Sequence, residues 1–454
     1  MKEKWPTYPS DLSRVELLDR WNEFHKTYGA NRQRKPTFPT EEVLRKLFDV
    51  IYHVSFLTEE SRKLAVRLAF LTPEDCHADI LNLHNSPMAF SSPRPCTPPE
   101  IMRLAPALDP TQSMIAVAPS ESVGLTNSAH SLAIWGLLHV GEDWSRLTSG
   151  HQTAARTPPC CLTLSSFSPG SITATSAGMI LMRMRAGRLL DAPLRSFAQG
   201  HIGRFLQSGA EKLQRDTLAK LNLTKFSTKR DEETVPQRIF YHVFENLVRF
   251  AAVHHHGASF VVVSDNDNAL KRAEELITLK YRLKSSDPWP DLVNECVAYR
   301  RYFNLLFPSD GTNIFQTQTA SIEDFKQLDS WRLVRENAHT KVLEFEEFVA
   351  GLSCVDGAVV LTTGLKVLGF GGEIVSTDSK LQTVNEAQNA EATELHAKYI
   401  DSFGTRHRSA FRLCDAFPDC VVFVVSQDGD ARAVKKVGAN VLLWDQIHLR
   451  DYSL

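Results

Sequence analysis

Two short segments carry residue types and spacings that could do chemistry. The first is Asp356-Gly357-Ala358, which follows Leu352-Ser353-Cys354-Val355 and runs into Val359-Val360-Leu361. One carboxylate and two small residues therefore stand at the head of a β-branched apolar strand. The second is Gly404-Thr405-Arg406-His407-Arg408-Ser409, followed by Ala410-Phe411-Arg412-Leu413-Cys414, which continues with helical character. A carboxylate suits a hard divalent cation, and a basic helix start suits phosphate oxygens. With Thr405 as N-cap, the free N–H groups of the first turn face an anion, two arginine forks each take phosphate oxygens, and His407 adds a donor. Each segment also has a bland alternative. Val-Asp-Gly-Ala between apolar runs is an ordinary strand-entry turn, and Arg-His-Arg is an ordinary solvated basic turn. The combination is more specific, because a polyphosphate substrate needs both a metal-holding carboxylate and basic donors.

Elements must position these residues. The segment 257–263 reads as a buried strand, Val342 to Leu352 as a helix feeding Asp356, 405–416 as a helix and Cys420 to Val425 as an apolar strand. Leu213 to Leu223 and Ile239 to Val253 read as further helices. Strands alternating with helices predict an α/β domain over 209–454, a mixed central sheet flanked by helices. Within it, residues 266–340 are charged and read as a helical insertion, with a solvated basic face at Lys280-Tyr281-Arg282-Leu283-Lys284. Gly369-Phe370-Gly371-Gly372 lacks the Lys-Ser/Thr of a P-loop and reads as a tight turn.

Upstream the texture differs. Residues 1–38 read as a lead-in, and 39–208 as a domain that is helical and then β-rich. A helix is expected from Thr40-Glu41-Glu42, with Val43, Leu44, Leu47, Phe48 and Ile51 at helical spacing. A second helix is expected after Thr58-Glu59-Glu60, with Leu64, Leu68 and Leu71 inward. The Ser- and Pro-rich stretch 85–110 reads as a linker or surface loop. Strands are expected at 131–138, 161–165 and 171–175, the last two joined by a turn at Ser168-Pro169-Gly170, with another turn at Ala186-Gly187-Arg188.

Composition sets limits. The 454 residues imply two or three domains, and 43% apolar with 23% charged residues is ordinary for a globular chain. A net charge of −2 argues against broad electrostatic attachment to nucleic acid. Eight cysteines, with no CxxC spacing, suit a reducing compartment better than a disulfide framework. The N-terminus lacks an apolar signal-peptide core, and no window approaches 18 apolar residues, so a cytoplasmic protein with no membrane span is expected. The run His254-His255-His256 suits a helix end better than a metal site.

Asp356-Gly357-Ala358, Gly404 to Ala410 and Val425-Ser426 match, in this order, the DGA, GTRHRAA and VSEE signatures of the diadenylate cyclase (DAC) domain, with Ser409 in place of an Ala. Gly257 to Val263 also resembles that domain's first strand. This resemblance covers roughly 238 to 445. It implies two domains face to face, as a homodimer or higher homo-oligomer, each holding one ATP and a Mg2+ or Mn2+ ion. The 3′-hydroxyl of each ATP attacks the α-phosphate of the other, giving cyclic di-AMP and pyrophosphate. Carried over residue by residue, Asp356 binds metal and helps activate the hydroxyl, with Asp428 as the second metal residue. Gly357 and Ala358 let backbone approach the nucleotide. Thr405, Arg406, His407 and Arg408 hold the phosphates, and Ser426 adds a hydroxyl. Ser426-Gln427-Asp428 departs from the family's Ser-Glu-Glu, which leaves two alternatives open: a non-catalytic nucleotide sensor, or a cyclase with a different product. The N-terminal half is similar to the DACNV-type sensor region, through His130 to Leu137, Ser168 to Ser171 and Gly200 to Leu206. That implies control of the cyclase by an unidentified ligand.

Overall fold

The structure is a computed structural model that describes residues 14–28, 37–59, 62–77, 87–110, 112–125, 131–139, 160–167, 169–176, 179–185, 188–190, 197–224, 235–253, 256–284, 287–306, 321–375, 380–426, 431–445 and 447. The chain divides into two compact units, 1–193 with 450–454, and 194–449. A boundary at 208 would cut the helix Gly200–Leu221 in two.

The first unit begins with helices α1 (Arg14–Tyr28) and α2 (Glu41–Val54). Thr40 caps α2 by accepting from the Val43 N–H at 3.4 Å, and Leu44, Leu47, Phe48 and Ile51 form its buried face as their spacing predicts. No helix follows Glu59. Instead β1 (Thr58–Glu59) pairs with β2 (Arg62–Lys63), and β3 (Val66–Phe70) is a strand buried on both faces. A short apolar run covered from both sides has no period to separate strand from helix, and this run took the strand form.

Short helix α3 (Pro73–His77) follows, and the supposed linker is structured too. It contains strand β4 (Met88–Pro95) and helix α4 (Pro98–Leu104). Pro93 and Pro95 are tolerated because β4 is an edge strand, and Pro98 and Pro99 because a helix's first turn needs no N–H. Then come β5 (Ser113–Pro119), β6 (Leu132–His139), β7 (Leu162–Ser166), β8 (Ser171–Ser176), β9 (Met179–Arg185) and β10 (Arg188–Leu190). The β7–β8 hairpin turns at Gly170, whose φ is 69°, while Ala186-Gly187 lies outside the described residues.

The sheet order is β10-β9-β8-β7-β3-β5-β6-β4, with β3 and β5 parallel and the other neighbours antiparallel. One face packs Val66, Leu68, Leu164 and Ile172 against Leu17, Trp21, Phe48 and Ile101 of α1, α2 and α4.

The second unit opens with α5 (Gly200–Leu221) and α6 (Val235–Val253), then β11 (Ala258–Val263). Helix α7 (Asp267–Leu276), strand β12 (Ile277–Arg282) and helices α8 (Trp289–Leu306) and α9 (Ile322–Leu352) follow. The stretch 266–340 is therefore more than a helical insertion, because β12 is an edge strand of the sheet and pairs with β14. Lys280 to Arg282 lie on that strand, where alternation replaces the helical face the charge pattern suggested. Strand β13 (Ala358–Thr362) leads to β14 (Val367–Ile374). The glycine-rich Gly369 to Gly372 is inside β14 rather than a turn; Gly371, at φ 64°, lies where the pairing with β13 slips register.

Strands β15 (Thr383–Ala387) and β16 (Leu395–Tyr399), helix α10 (Thr405–Ala416), and strands β17 (Cys420–Val425), β18 (Ala431–Val437) and β19 (Asn440–Trp444) complete the unit. The mixed sheet runs β12-β14-β13-β11-β17-β18-β19-β15-β16. Helices α5, α6, α8 and α9 cover one face, through residues such as Leu213, Phe244, Cys296 and Val349 against Phe260 and Phe423. Helices α7 and α10 cover the other, with Ala273, Phe411 and Leu413 against Val261, Val360 and Val422. Burial on both faces is why β17 is an unbroken apolar run and β11 departs from one only at Ser259. Among the described residues, no helix is long and apolar enough to cross a membrane.

Candidate functional site

The sheet register gathers the site. Strands β11 and β13 run parallel, pairing Phe260 with Val359, so their heads at Gly257 and Asp356 lie at one end of the sheet. Strand β17 runs the other way, pairing Val425 with Ala258, so its end and Ser426 reach the same place. Between apolar strands covered on both faces, the strand ends are where polar side chains can emerge.

Helix α9 ends at Leu352, with the Ser353 hydroxyl donating to the Ala350 carbonyl at 2.6 Å. Gly357 has φ 115°, and a Cβ built there would lie 2.5 Å from the Gly371 carbonyl carbon and 2.8 Å from Gly372 N. No side chain fits, so glycine lets β14 pass close to the head of β13. Ala358 is buried and paired with Gly372. Asp356, just before them, projects outward with its side chain 96% exposed.

Helix α10 meets this carboxylate. Its N-cap is Gly404 rather than Thr405, which is the exposed first helical residue; Gly404 makes no side-chain cap. The first-turn N–H groups consequently have no intrahelical acceptor and favour an anion. Arg406 Nη2 stands 3.8 Å from Asp356 Oδ1. Gly257, at φ 67°, seats the guanidinium: a Cβ there would be 3.0 Å from Arg406 Nη1. An exposed pair at that separation contributes little stability, so the contact places charge rather than holding the fold. Arg408 and Ser426 are half-buried nearby.

His407 behaves differently from its neighbours. It is 8% exposed and packs beside Phe403 and Phe411, with ring centroids 5.8 and 6.4 Å away. Its Nε2 lies 3.1 Å from Arg432 Nη1, which must donate, so Nε2 is unprotonated. Arg432 in turn pairs with Asp445. Burial first, then the Arg432 charge, lowers the His407 pKa to about 4. At neutral pH it is an uncharged residue that holds the helix start through Arg432. Its Nε2 is therefore turned to Arg432 and is not the added donor the sequence suggests.

Two residues outside the sequence motifs join the site. Lys280 on β12 and Glu373 on β14 form an ion pair at 2.8 Å. Glu373 holds the Lys280 pKa above its ordinary value by hydrogen bond and charge, and Asp356 adds to the same effect. Lys280 belongs to the basic cluster at 280–284, and only the β12–β14 pairing reveals which way that cluster faces. Gln427 and Asp428 lie outside the described residues. So do His254 and His255, while His256 is exposed.

Among the described residues, no group of three or more His, Cys, Asp or Glu side chains is arranged to hold a metal. The donor set nonetheless fits a Mg2+ or Mn2+ ion that arrives with a nucleotide. Such ions are held by one or two carboxylates together with substrate phosphates, and Asp356 offers an open carboxylate beside the Arg406 guanidinium.

Residues 33–139 match the family model described as "Probable sensor domain DACNV". The DACNV segment runs from before α2 through β6 and ends before β7 to β10, so the first unit's sheet extends past it. No curated protein matches the chain. Among solved structures, the crystal structure of a double mutant of DacA from Staphylococcus aureus is similar over 48% of this chain and 91% of that one. The identity is 14% and the TM-score 0.23, and a superposition that loose fixes no residue correspondence.

Proposed function

We propose that the second unit is a nucleotidyltransferase of the diadenylate cyclase kind, condensing two ATP into cyclic di-AMP, and that the DACNV segment belongs to a sensor that regulates it. The observation that carries this reading is the approach of Arg406 to Asp356 at 3.8 Å, which joins two motifs 50 residues apart at one end of the sheet. Arg406, Arg408 and the first-turn N–H groups of α10 bind the triphosphate. Thr405 and Ser426 add hydroxyl contacts, and Gly357 and Ala358 keep the nucleotide close to the backbone. Asp356 would hold a Mg2+ or Mn2+ ion with the nucleotide's phosphate oxygens; the ion supplies neutralisation of negative charge there. Asp356 would also orient the attacking hydroxyl. Each 3′-oxygen forms a bond to the α-phosphorus of the second ATP, pyrophosphate leaves, and the hydroxyl proton passes to a base or solvent. Because each ATP is both nucleophile and electrophile, two sites must face each other, which requires a second copy of the chain. Neutral His407 contributes position and no charge.

Purified protein incubated with ATP and Mn2+ or Mg2+ should yield cyclic di-AMP and pyrophosphate by mass spectrometry. ATP binding without product under either metal would overturn the catalytic claim. It would favour the second reading, a nucleotide-binding signalling protein with a degenerate site, which the Ser426-Gln427-Asp428 sequence motivates. Running all four nucleoside triphosphates separates a cyclase of another specificity.

A further inference from the structure

The chain enters the second unit at residue 194, and the start of α5 at Gly200 is gripped by the turn between β15 and β16. Just before it, Phe197 is 1% exposed, with its ring centre 5.0 Å from that of Phe423 on β17. Gly200 has φ 63°, and a Cβ built there would collide with the Ala390 carbonyl of the turn. The same carbonyl accepts from the His201 N–H at 3.4 Å, and Arg204 pairs with Glu391 at 2.9 Å. The turn is also tied to β19, because Trp444 Nε1 donates to the Asn389 carbonyl at 3.1 Å. Trp444 is buried, and its ring centre lies 6.3 Å from that of His201.

The next residue, Asp445, carries this attachment to the candidate site. Its carboxylate accepts from Arg432 Nε at 2.5 Å, and Arg432 Nη1 donates to His407 Nε2 at 3.1 Å. Arg432 stands near the start of β18, paired with Val424 beside the strand end that leads to Ser426. Its planar guanidinium therefore bridges the end of β19 and the first turn of α10 through one rigid fork. The hold on the opposite side of that turn is weaker. The Arg406–Asp356 contact is exposed and 3.8 Å long, and Gly404 supplies no side-chain cap. Where the first turn sits thus depends more on Arg432 than on Asp356. Any shift of His407 is passed to Arg406, its neighbour in the chain.

We propose that Asp445 and Arg432 are positioning residues that couple the start of α5 to the first turn of α10, so that strain on the chain entering the second unit lowers nucleotide affinity. This rests on the nucleotide reading of the site and adds the route by which that site is regulated. The two-state element is the α10 turn, seated against Arg432 in one state and released from it in the other. A pull on α5 reaches it through the 389–391 turn, Trp444 and Asp445, each bonded to the next or adjacent to it in the chain. Contacts that only close the end of the sheet would instead give effects that add.

The test uses the full-length protein, with Gly200→Ala as the strain, Arg432→Met to cut the link, and the two combined. Two quantities are read: hydrogen exchange of the 404–416 peptide without ligand, and ATP–Mn2+ affinity by calorimetry. Gly200→Ala should speed exchange at the start of α10 severalfold, leave the 277–282 peptide of β12 unchanged, and weaken ATP about tenfold. In the Arg432→Met background Gly200→Ala should change either readout by less than about twofold. Arg432→Lys, which keeps a donor for His407 and a charge for Asp445, should restore the response. If Gly200→Ala fails to fold by circular dichroism, Trp444→Phe removes the bond to Asn389 and takes its place, with the same pattern at lower amplitude. Additive effects of the two variants overturn the inference, and so does unchanged exchange in 404–416. The exchange arm needs no nucleotide, which separates the two readings. Coupled exchange in a protein that binds no ATP overturns the nucleotide site and keeps the coupling, whereas ATP binding that ignores Gly200→Ala overturns the coupling and keeps the site.

Discussion

The two sheets solve the same covering problem in opposite ways. In the second unit, helices take both faces, so β11, β13 and β17 are apolar but for Ser259 and Thr362, and most polar groups are pushed to the strand ends. Asp356, Gly257 and Ser426 sit there, beside the start of α10. In the first unit, α1, α2 and α4 take one face, and the other combines an apolar cluster that includes Met114, Ala116 and Trp135 with buried hydroxyls and arginines in mid-strand. Which faces the helices cover decides where polar side chains lie: at the strand ends in one unit, buried in mid-strand in the other.

The largest effect should come from removing the charge at the strand-end site. Arg406→Ala is expected to weaken ATP binding about 100-fold, on the scale of losing a bidentate charge-assisted contact. Isothermal calorimetry with ATP and Mn2+ checks it. Asp356→Asn should instead lower turnover far more than ATP affinity. If Asp356→Asn abolishes binding while Arg406→Ala spares it, the roles assigned to the two motifs are reversed.

A pair of glycines compares the units directly. Gly357 and Gly124 both have positive φ, at 115° and 75°, but a Cβ at Gly357 collides with β14 backbone while one at Gly124 meets nothing within 4 Å. Gly124→Ala should cost only the backbone term, about 1 kcal/mol. Gly357→Ala adds the collision and should cost roughly 2–4 kcal/mol, with loss of the proposed cyclase activity from displacement of Asp356. Equal denaturation midpoints for the two variants would mean that the close approach of β14 is not needed to hold the carboxylate.

Much of the second unit was legible because its pattern is unambiguous. The apolar strands at 258–263 and 420–425 and the helix at 405–416 follow from composition and spacing. The site motifs sit at their ends. Other features depend on pairing, which a single sequence does not display. The run around Leu64 and Leu68 reads as a helix until β3 is placed between β5 and β7, where Arg67 becomes a buried mid-strand residue. Lys280 becomes a site neighbour only once β12 joins β14. His407 reads as a phosphate donor by type, and only its contact with Arg432 turns it inward.

Buried charge gives a smaller effect with a definite sign. Glu346 on α9 is 1% exposed and accepts from Asn246 Nδ2 at 2.8 Å. Burial raises its pKa well above the carboxylate range. A raised carboxyl pKa means the native state binds the proton more tightly, so stability falls as pH rises above the unfolded value. Glu346→Gln keeps the acceptor and removes the ionisation. It should raise the unfolding midpoint at pH 8 and change little near pH 4. No gain at pH 8 would place the helix layer's charge on other groups.

His407 offers the finest test, because its sign is opposite and its location is the site itself. Its pKa falls from the ordinary 6.5 to about 4 through burial and the Arg432 charge. Between those values the unfolded chain binds a proton that the native chain refuses. The stability His407 contributes is therefore complete above pH 6.5 and lost as pH falls towards 4. His407→Gln leaves an amide oxygen able to accept from Arg432 and nothing to titrate, so exchange protection in β11 and β17 should decline less between pH 6.5 and 4 than in the parent. Hydrogen exchange resolved by peptide can follow those strands separately from β3 and β7, where this substitution should change nothing. A matching change in the first unit's strands would show that the two sheets respond to this residue as one body. An unchanged slope in β11 and β17 would mean that His407 takes up its proton without giving up its place against Arg432.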